Sequence, residues 1–325
     1  MALGPLIARV PVSRFVPAEP CHWRGHAHLP PSLSRFRTGP TMPALPAFLR
    51  DLLPRRFREK RPLVAVLRLN GVIGAVSPIR QGLSIASVAG SLERAFALKD
   101  LAAVAIVVNS PGGSPAQSHL IHRRIRALAE EKSVPVLAFV EDAAASGGYM
   151  IACAADEIVA DPTSVVGSIG VVSAGFGFDK LIARIGVERR VHTQGEAKAM
   201  LDPFRPEDPA DVERLKAIQA DVQALFTELV TRRRPNLAAG ENLFTGAVWT
   251  GRQALPLGLV DALGDIRATL RARFGEKVEM RLIADARGSF LARLLRRAAP
   301  GGVGTLAGDG LAALEERAAW ARLGL

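Results

Sequence analysis

Leu63 to Leu69 is apolar at six of seven positions, interrupted only by Arg68, and predicts a buried strand. Asn70-Gly71 follows, a dipeptide suited to a tight hairpin turn, and then Val72-Ile73. The period next changes. Ile85, Val88, Leu92 and Phe96 recur at helical spacing behind Ser84, a good N-cap. Residues 103–108 are apolar without a break, the mark of a strand covered on both faces. A helix is predicted over 115–131, a strand over 134–140, and a short helix of small residues after Ser146. Further strands are predicted near 157–160, 169–173 and 187–192. Residues 193–206, with a glycine, two prolines and mixed charge, read as a loop over the site. A long helix over 207–234 ends in Arg232-Arg233-Arg234-Pro235. Beyond it come a helix near 252–255, the turn Gly258-Leu259-Val260-Asp261, a helix over 266–274 and a strand over 278–283. A basic amphipathic piece at 290–297, a Gly-rich break and a last helix over 311–323 complete the chain, which has no internal repeat. Buried strands alternating with helices call for an α/β fold.

This patterned stretch sets the domain reading. Residues 62–286 form the folded domain and 287–325 a helical tail. Residues 1–61 form a basic leader without periodicity, read as disordered, with Met42 an alternative translation start. The formal net charge of +11 sits at the ends. Residues 1–61 hold 11 Lys/Arg against 3 Asp/Glu, residues 287–325 hold 6 against 3, and the remainder is balanced at 25 of each. With a neutral domain between basic ends, no nucleic-acid partner is expected. Two cysteines are too few for a disulfide framework; Cys153, in an apolar helix, reads as a small core residue, and the expected compartment is a reducing one, the cytoplasm. No apolar run approaches the length of a transmembrane helix, and residues 1–17 lack the apolar stretch of a secretory signal. The basic leader and residues 290–297 leave peripheral contact with an anionic membrane open. Cys21, His22, His26 and His28 cluster in the leader, but without a folded frame or a second pair at ligand spacing they make no metal site.

Two glycine pairs carry the candidate chemistry. Asn109-Ser110-Pro111-Gly112-Gly113 joins a buried strand to a helix, where glycines allow close backbone approach and leave N–H groups free. The loop lacks the Gly-Lys-Ser/Thr of a nucleotide-binding loop, so an oxyanion is the better ligand, with a plain tight turn the simpler alternative. Ala145-Ser146-Gly147-Gly148-Tyr149 again stands between a strand and a helix. Alone, Ser146 reads as an ordinary N-cap. With both turns at strand-to-helix junctions, one can supply a nucleophile and the other an oxyanion donor. A nucleophilic serine needs a base. Three of the six histidines, at 22, 26 and 28, lie in the leader, and His192 sits at a predicted strand end. His119, one turn before His122 on one helix face, is the only triad candidate, against the simpler reading of a solvated face. A lysine base remains, and spacing does not choose among the lysines.

The order Asn-Ser-Pro-Gly-Gly, Ala-Ser-Gly-Gly-Tyr, Val-Gly-Ser-Ile-Gly-Val over residues 62–284 resembles the signal peptide peptidase A (protease IV) family of serine peptidases, in its SohB-type form. The resemblance implies a ClpP/crotonase-like α/β fold of repeated ββα units. It makes Ser146 the nucleophile, and Lys198, in Gly195-Glu196-Ala197-Lys198-Ala199-Met200, the base. Ser168 corresponds to the residue that orients the lysine. Gly113 corresponds to an oxyanion-hole donor, with Gly112 beside it and the backbone N–H of Ser146 or Gly147 as the second donor. It also implies a ring-shaped homo-oligomer in which serine and lysine come from neighbouring subunits.

A lysine at its reference pKa of ~10.4 is protonated at neutral pH, and bringing it near 7 takes roughly 4 kcal/mol, most simply by desolvation. Glu196, on the same side of an extended loop, would oppose that unless it faces solvent. The function implied is a Ser–Lys serine endopeptidase acting on unfolded or signal-peptide-like segments through an acyl-enzyme, with no cofactor and no metal. Two rivals stand beside it: a crotonase-like acyl-CoA enzyme, and a non-catalytic oligomeric scaffold.

Overall fold

The unbroken apolar run at 103–108 lies at the centre of a parallel sheet. The computed structural model describes residues 61–74, 82–239, 242–283, 313–314 and 316–325. By its contacts the chain divides into two units, Met1–Arg58 and Glu59–Leu325, and all the described residues belong to the second. The leader, its Cys/His cluster, Met42 and the amphipathic piece at 290–297 lie outside the described residues.

Strand β2 (Leu101–Ser110) pairs in parallel with β1 (Leu63–Asn70) on one side and with β3 (Val136–Ala145) on the other. β1 is flanked in turn by β8 (Glu279–Leu282). β3 is long and serves two neighbours: residues 137–140 pair with β4 (Glu157–Ala160), residues 143–145 with β5 (Val165–Gly167). Short β6 (Val248–Thr250) closes on β5, the one antiparallel pairing among the described residues, and β7 (Ala262–Leu263) closes on β4. The β2–β3 register shifts between Val108 and Ser110, so β3 turns away just before Ser146.

The two-residue period of the strands sorts their side chains. Leu67, Leu69, Ile106, Val108, Ala138 and Val140 face the larger core. That core is filled by α1 (Ile85–Phe96), α2 (Pro115–Lys132), the short α3 (Gly147–Ala152) and the end of the long α5 (Pro209–Arg233). Val64, Val66, Ala105, Val107, Leu137 and Phe139 face the other side, under Leu270 of α7 (Ile266–Phe274). Each fully buried Leu or Ile contributes about 1.5–3 kcal/mol, so the sheet is held from both faces. Two further helices, α4 (Asp179–Arg184) and α6 (Gly251–Ala254), are short.

Three expectations change. Gly71 does turn at φ +97, but the chain does not fold back on β1; Ile73 instead bridges to Leu83 and Gly113. Asn70 therefore sits at a parallel-strand end, with β2 occupying the edge a hairpin partner would need. The strand expected at 169–173 forms earlier, as β5, and residues 187–192 form no strand. From Val172 to Leu201 the chain is an arm with little cover: neither α4 nor the 3-10 turn Glu196–Ala199 buries a residue. Phe176 is 80% exposed, Val172 72% and Ile185 64%. Alternating apolar residues there look like a strand, but no sheet edge of this chain receives them.

Within the larger core, His122 of α2 is buried beside its stacked neighbour His119, and its pKa is lowered to about 4. Burial is the main cause, followed by the positive charge of Arg233, of His119 and of Arg126. The unfolded chain therefore binds a proton that the folded chain refuses. Stability associated with neutral His122 is present above pH 6.5 and is lost as pH falls toward 4, by up to roughly 3 kcal/mol. His122→Leu is expected to flatten this acid limb, seen as a smaller drop in Tm between pH 7 and pH 5. An unchanged limb would show that other groups set it.

Candidate active site

Ser146 sits where β3 ends and α3 begins, at φ +51 and ψ −120. A non-glycine residue there is strained, at a cost of about 1–3 kcal/mol. The strain has a geometric result shared with nucleophile elbows: it turns the serine side chain out at the top of a strand. The Ser146 backbone N–H donates to the Gly167 carbonyl at 2.8 Å, while its side chain caps nothing. The N-cap reading of Ser146 therefore fails, and its hydroxyl is free.

The glycines are required because two loops press together. A Cβ on Gly112, at φ +106, would stand 2.8 Å from the Ser146 Cβ and 2.9 Å from the Ala145 carbonyl oxygen. A Cβ on Gly147 would overlap the Ser118 hydroxyl, and one on Gly148 would meet the Ser110 carbonyl oxygen at 2.7 Å. Gly113, at φ +140, lies against the Ile73 backbone. Gly113→Ala is expected to cost on the order of 2–3 kcal/mol and lower Tm by several degrees, since backbone cannot step aside as a side chain can. A variant melting with the wild type would show that the loop has slack.

The same packing sorts the backbone donors. Gly112 N–H is taken by Ser110 Oγ at 3.2 Å, and Ser146 N–H by Gly167. Gly113 and Gly147 have no N–H partner among the described residues. The two free donors flank Ser146, the arrangement an oxyanion needs. Asn109 supports this frame: its side chain donates to Asp142 at 2.6 Å and accepts from Ala143 N–H at 3.2 Å, fixing the ends of β2 and β3 together.

Ser146, Gly112, Gly113 and Ser168 line one cavity of 810 Å³. Ser168 has φ +51 and is held by its N–H on the Ala247 carbonyl at 2.7 Å. Ala319, Arg322 and Leu323 of the C-terminal segment also line the cavity, and Arg322 is the only ionisable side chain among the described residues that do. Lys198 is not among them; it stands exposed on the 3-10 turn of the arm, as does Glu196. The loop carrying Lys198 therefore does not cover the cavity of its own chain. His119 is exposed on α2, against His122 and away from the cavity, which removes the triad candidate. Cys153 is fully buried and its thiol is pushed up to about 12, chiefly by burial, so it is no rival nucleophile.

Some residues that hold the site carry no sequence signal. Tyr149 OH donates to the Leu259 carbonyl at 2.7 Å. Arg233 donates to the Cys153 and Ala155 carbonyls at 2.9 and 2.8 Å, and Arg126 to that of Ala154 at 3.2 Å, anchoring the far end of α3. Gln223, half-way along α5, ties the Phe244 carbonyl to the cavity wall at 3.0 Å and leaves its own Oε1 unpaired. The Arg-Arg-Arg run marked a helix end; its second and third members are structural pins, Arg234 pairing with Asp261 at 2.7 and 2.9 Å.

A free serine hydroxyl at a strained strand-to-helix turn, with unpaired backbone donors at Gly113 and Gly147, is an arrangement that acyl transfer can use. The chain belongs to peptidase family S49, whose profile matches residues 128–279. A Synechocystis sp. protein bearing a protease name is 34% identical over 201 residues, 58% of this chain and 69% of that protein. The serine protease SPPA, chloroplastic, of Arabidopsis thaliana is 34% identical over 214 residues, 63% of this chain and 31% of that one. The Na(+)/H(+) antiporter NhaA of Brucella abortus is 52% identical over 297 residues, 87% of this chain. The chain spans 40% of the length of that antiporter and of its Brucella melitensis counterpart. Among the described residues no helix is long and apolar enough to cross a membrane.

Proposed function

We propose that the chain is a serine endopeptidase that cleaves unfolded or signal-peptide-like segments through an acyl-enzyme. The observation that carries this reading is the free Ser146 hydroxyl in a cavity that Gly113, with its unpaired N–H, also lines, the unpaired N–H of Gly147 being next to Ser146 in the chain. Ser146 Oγ attacks the scissile carbonyl, and its proton passes to the neutral amine of Lys198. The oxyanion is held by the N–H groups of Gly113 and Gly147. The lysine then protonates the leaving amine, takes a proton from the water that attacks the acyl-enzyme, and returns it to Ser146 Oγ as the C–Oγ bond breaks and the acid is released. Ser168 orients the lysine by accepting from its ammonium. An extended peptide lies along the cavity, whose other walls include Val72, Val171, Val172 and Phe244, so small and apolar side chains near the cleaved bond are favoured.

Lys198 reaches Ser146 from a neighbouring subunit of a ring. Two features support this: no base among the described residues lines the cavity, and the arm that bears Lys198 exposes apolar side chains which an interface would cover. Burial there would desolvate the lysine and make its amine a base. The site works without cofactor or metal, and the protein acts in the cytoplasm, at most peripheral to a membrane. The test is labelling by a fluorophosphonate probe followed by peptide mapping. A single adduct on Ser146 is expected from the assembled protein. An acyl-CoA enzyme or a scaffold would give none, and absence of an adduct from an assembled, folded sample overturns the proposal.

A further inference from the structure

A second concavity lies away from Ser146, in a groove of 710 Å³ between α2 and the C-terminal turn of α5. Arg123, Arg124, Arg126, Arg232 and Arg233 line it, against a single carboxylate, Glu130. The five guanidiniums are not equally committed. Arg126 and Arg233 are fixed, each bonded to carbonyls after α3 and to Asp156, at 2.7 and 3.2 Å. Arg124 and Arg232 are paired only with Glu93 and Glu228 at the surface, contacts worth little and easily exchanged. Arg123 has no partner among the described residues.

His122 also lines the groove, and it is 95% buried. Neither ring nitrogen makes a hydrogen bond of good geometry; the Cys153 carbonyl, which accepts from Arg233 Nε at 2.9 Å, is the one backbone group that acts on the imidazole. A neutral imidazole offers one donor and one acceptor, and leaving both unmet in a protein interior is costly. The groove therefore combines an unpaired buried imidazole, two preset guanidiniums and three that are free to turn inward. A carboxylate would be satisfied by one bidentate arginine. Several guanidiniums spread around one point suit a group with three or more acceptor oxygens.

We propose that this groove is a binding site for a phosphate group, carried by either a lipid headgroup or a soluble phosphate compound. The phosphate sits between Arg123 and Arg232 at the mouth and accepts from His122 at the floor. If the carrier is a lipid, the exposed Leu120 and the half-buried Ile85 at the rim receive the first carbons of its chain. The site is independent of the peptidase reading, since none of its residues lines the Ser146 cavity.

The test uses the full chain and the double variant Arg123→Glu/Arg232→Glu, whose side chains are at the surface and outside the core. Inorganic pyrophosphate is titrated calorimetrically at fixed ionic strength. Separately, co-sedimentation is measured with phosphatidylcholine vesicles with and without phosphatidylglycerol. Comparing the two proteins cancels any contribution from the basic leader. The variant is expected to bind at least about tenfold more weakly, because two charge-assisted contacts become repulsions. A loss confined to pyrophosphate identifies a soluble phosphate as the ligand; a loss that extends to phosphatidylglycerol vesicles, or is confined to them, identifies the headgroup. Equal binding by the two proteins in both assays, with equal Tm, overturns the site.

Discussion

Ser146→Ala is expected to remove peptidase activity by several orders of magnitude in kcat while leaving Tm within a degree or two of the wild type. The two halves of this expectation come from the same geometry. The hydroxyl makes no hydrogen bond among the described residues, so its loss leaves none of their buried groups unpaired. Alanine keeps the Cβ that meets the Gly112 loop, and at φ +51 it bears the strain that serine already bears. Nothing in folding depends on the oxygen, whereas in the proposed mechanism all of the acyl chemistry does. What survives is the rate provided by the Gly113 and Gly147 donors alone, which in serine hydrolases stripped of their nucleophile is about 10³–10⁴ over water. Peptide hydrolysis and thermal unfolding on the same preparation make the check. A folded variant retaining more than about a tenth of wild-type kcat would end the role of Ser146 as nucleophile.

How far this site was legible in the sequence depended on what each residue needed from its neighbours. Segments whose partners lie in the same sheet were readable: the apolar run of β2, the helical spacing behind Ser84 and the long α5 all formed where the pattern placed them. The two glycine pairs were readable as close approaches, but which N–H groups stay free was not. That depends on Ser110 and Gly167, which consume the donors of Gly112 and Ser146. Asn70-Gly71 misled because a parallel neighbour supplies the pairing that a hairpin would have provided locally. The arm misled for the opposite reason. Its apolar residues at 172, 176, 185 and 187 have the composition of packed structure, yet in the single chain they are each more than half exposed. The pins Arg126, Arg233 and Tyr149 act on backbone carbonyls, which have no sequence signature at all.

Mixed oligomers of two inactive variants, Ser146→Ala and Lys198→Ala, are expected to regain peptidase activity. The prediction follows from where the two side chains stand. Ser146 faces a cavity whose only ionisable lining residue among the described ones is Arg322, and Lys198 is exposed on an arm that buries none of its α4 or 3-10 turn residues. A chain that built its own site would have placed a base near its own serine. Co-unfolding equal amounts of the two variants and reassembling them yields interfaces of several kinds. Where a Lys198→Ala subunit presents its intact Ser146 to the intact Lys198 of a Ser146→Ala neighbour, a complete site forms. With random mixing, about a quarter of directional interfaces have that pairing, so recovery near a quarter of wild-type activity is expected, against a background of essentially none in either variant alone. On the proposed shared site, dilution that dissociates the ring should abolish the recovered activity, because a lone subunit would have no base and its arm no cover. Native mass spectrometry is used to verify that mixed rings have formed. Verified mixed rings without activity would eliminate the shared site and require Lys198 to reach Ser146 within one chain, by a movement of the arm over residues 172–201.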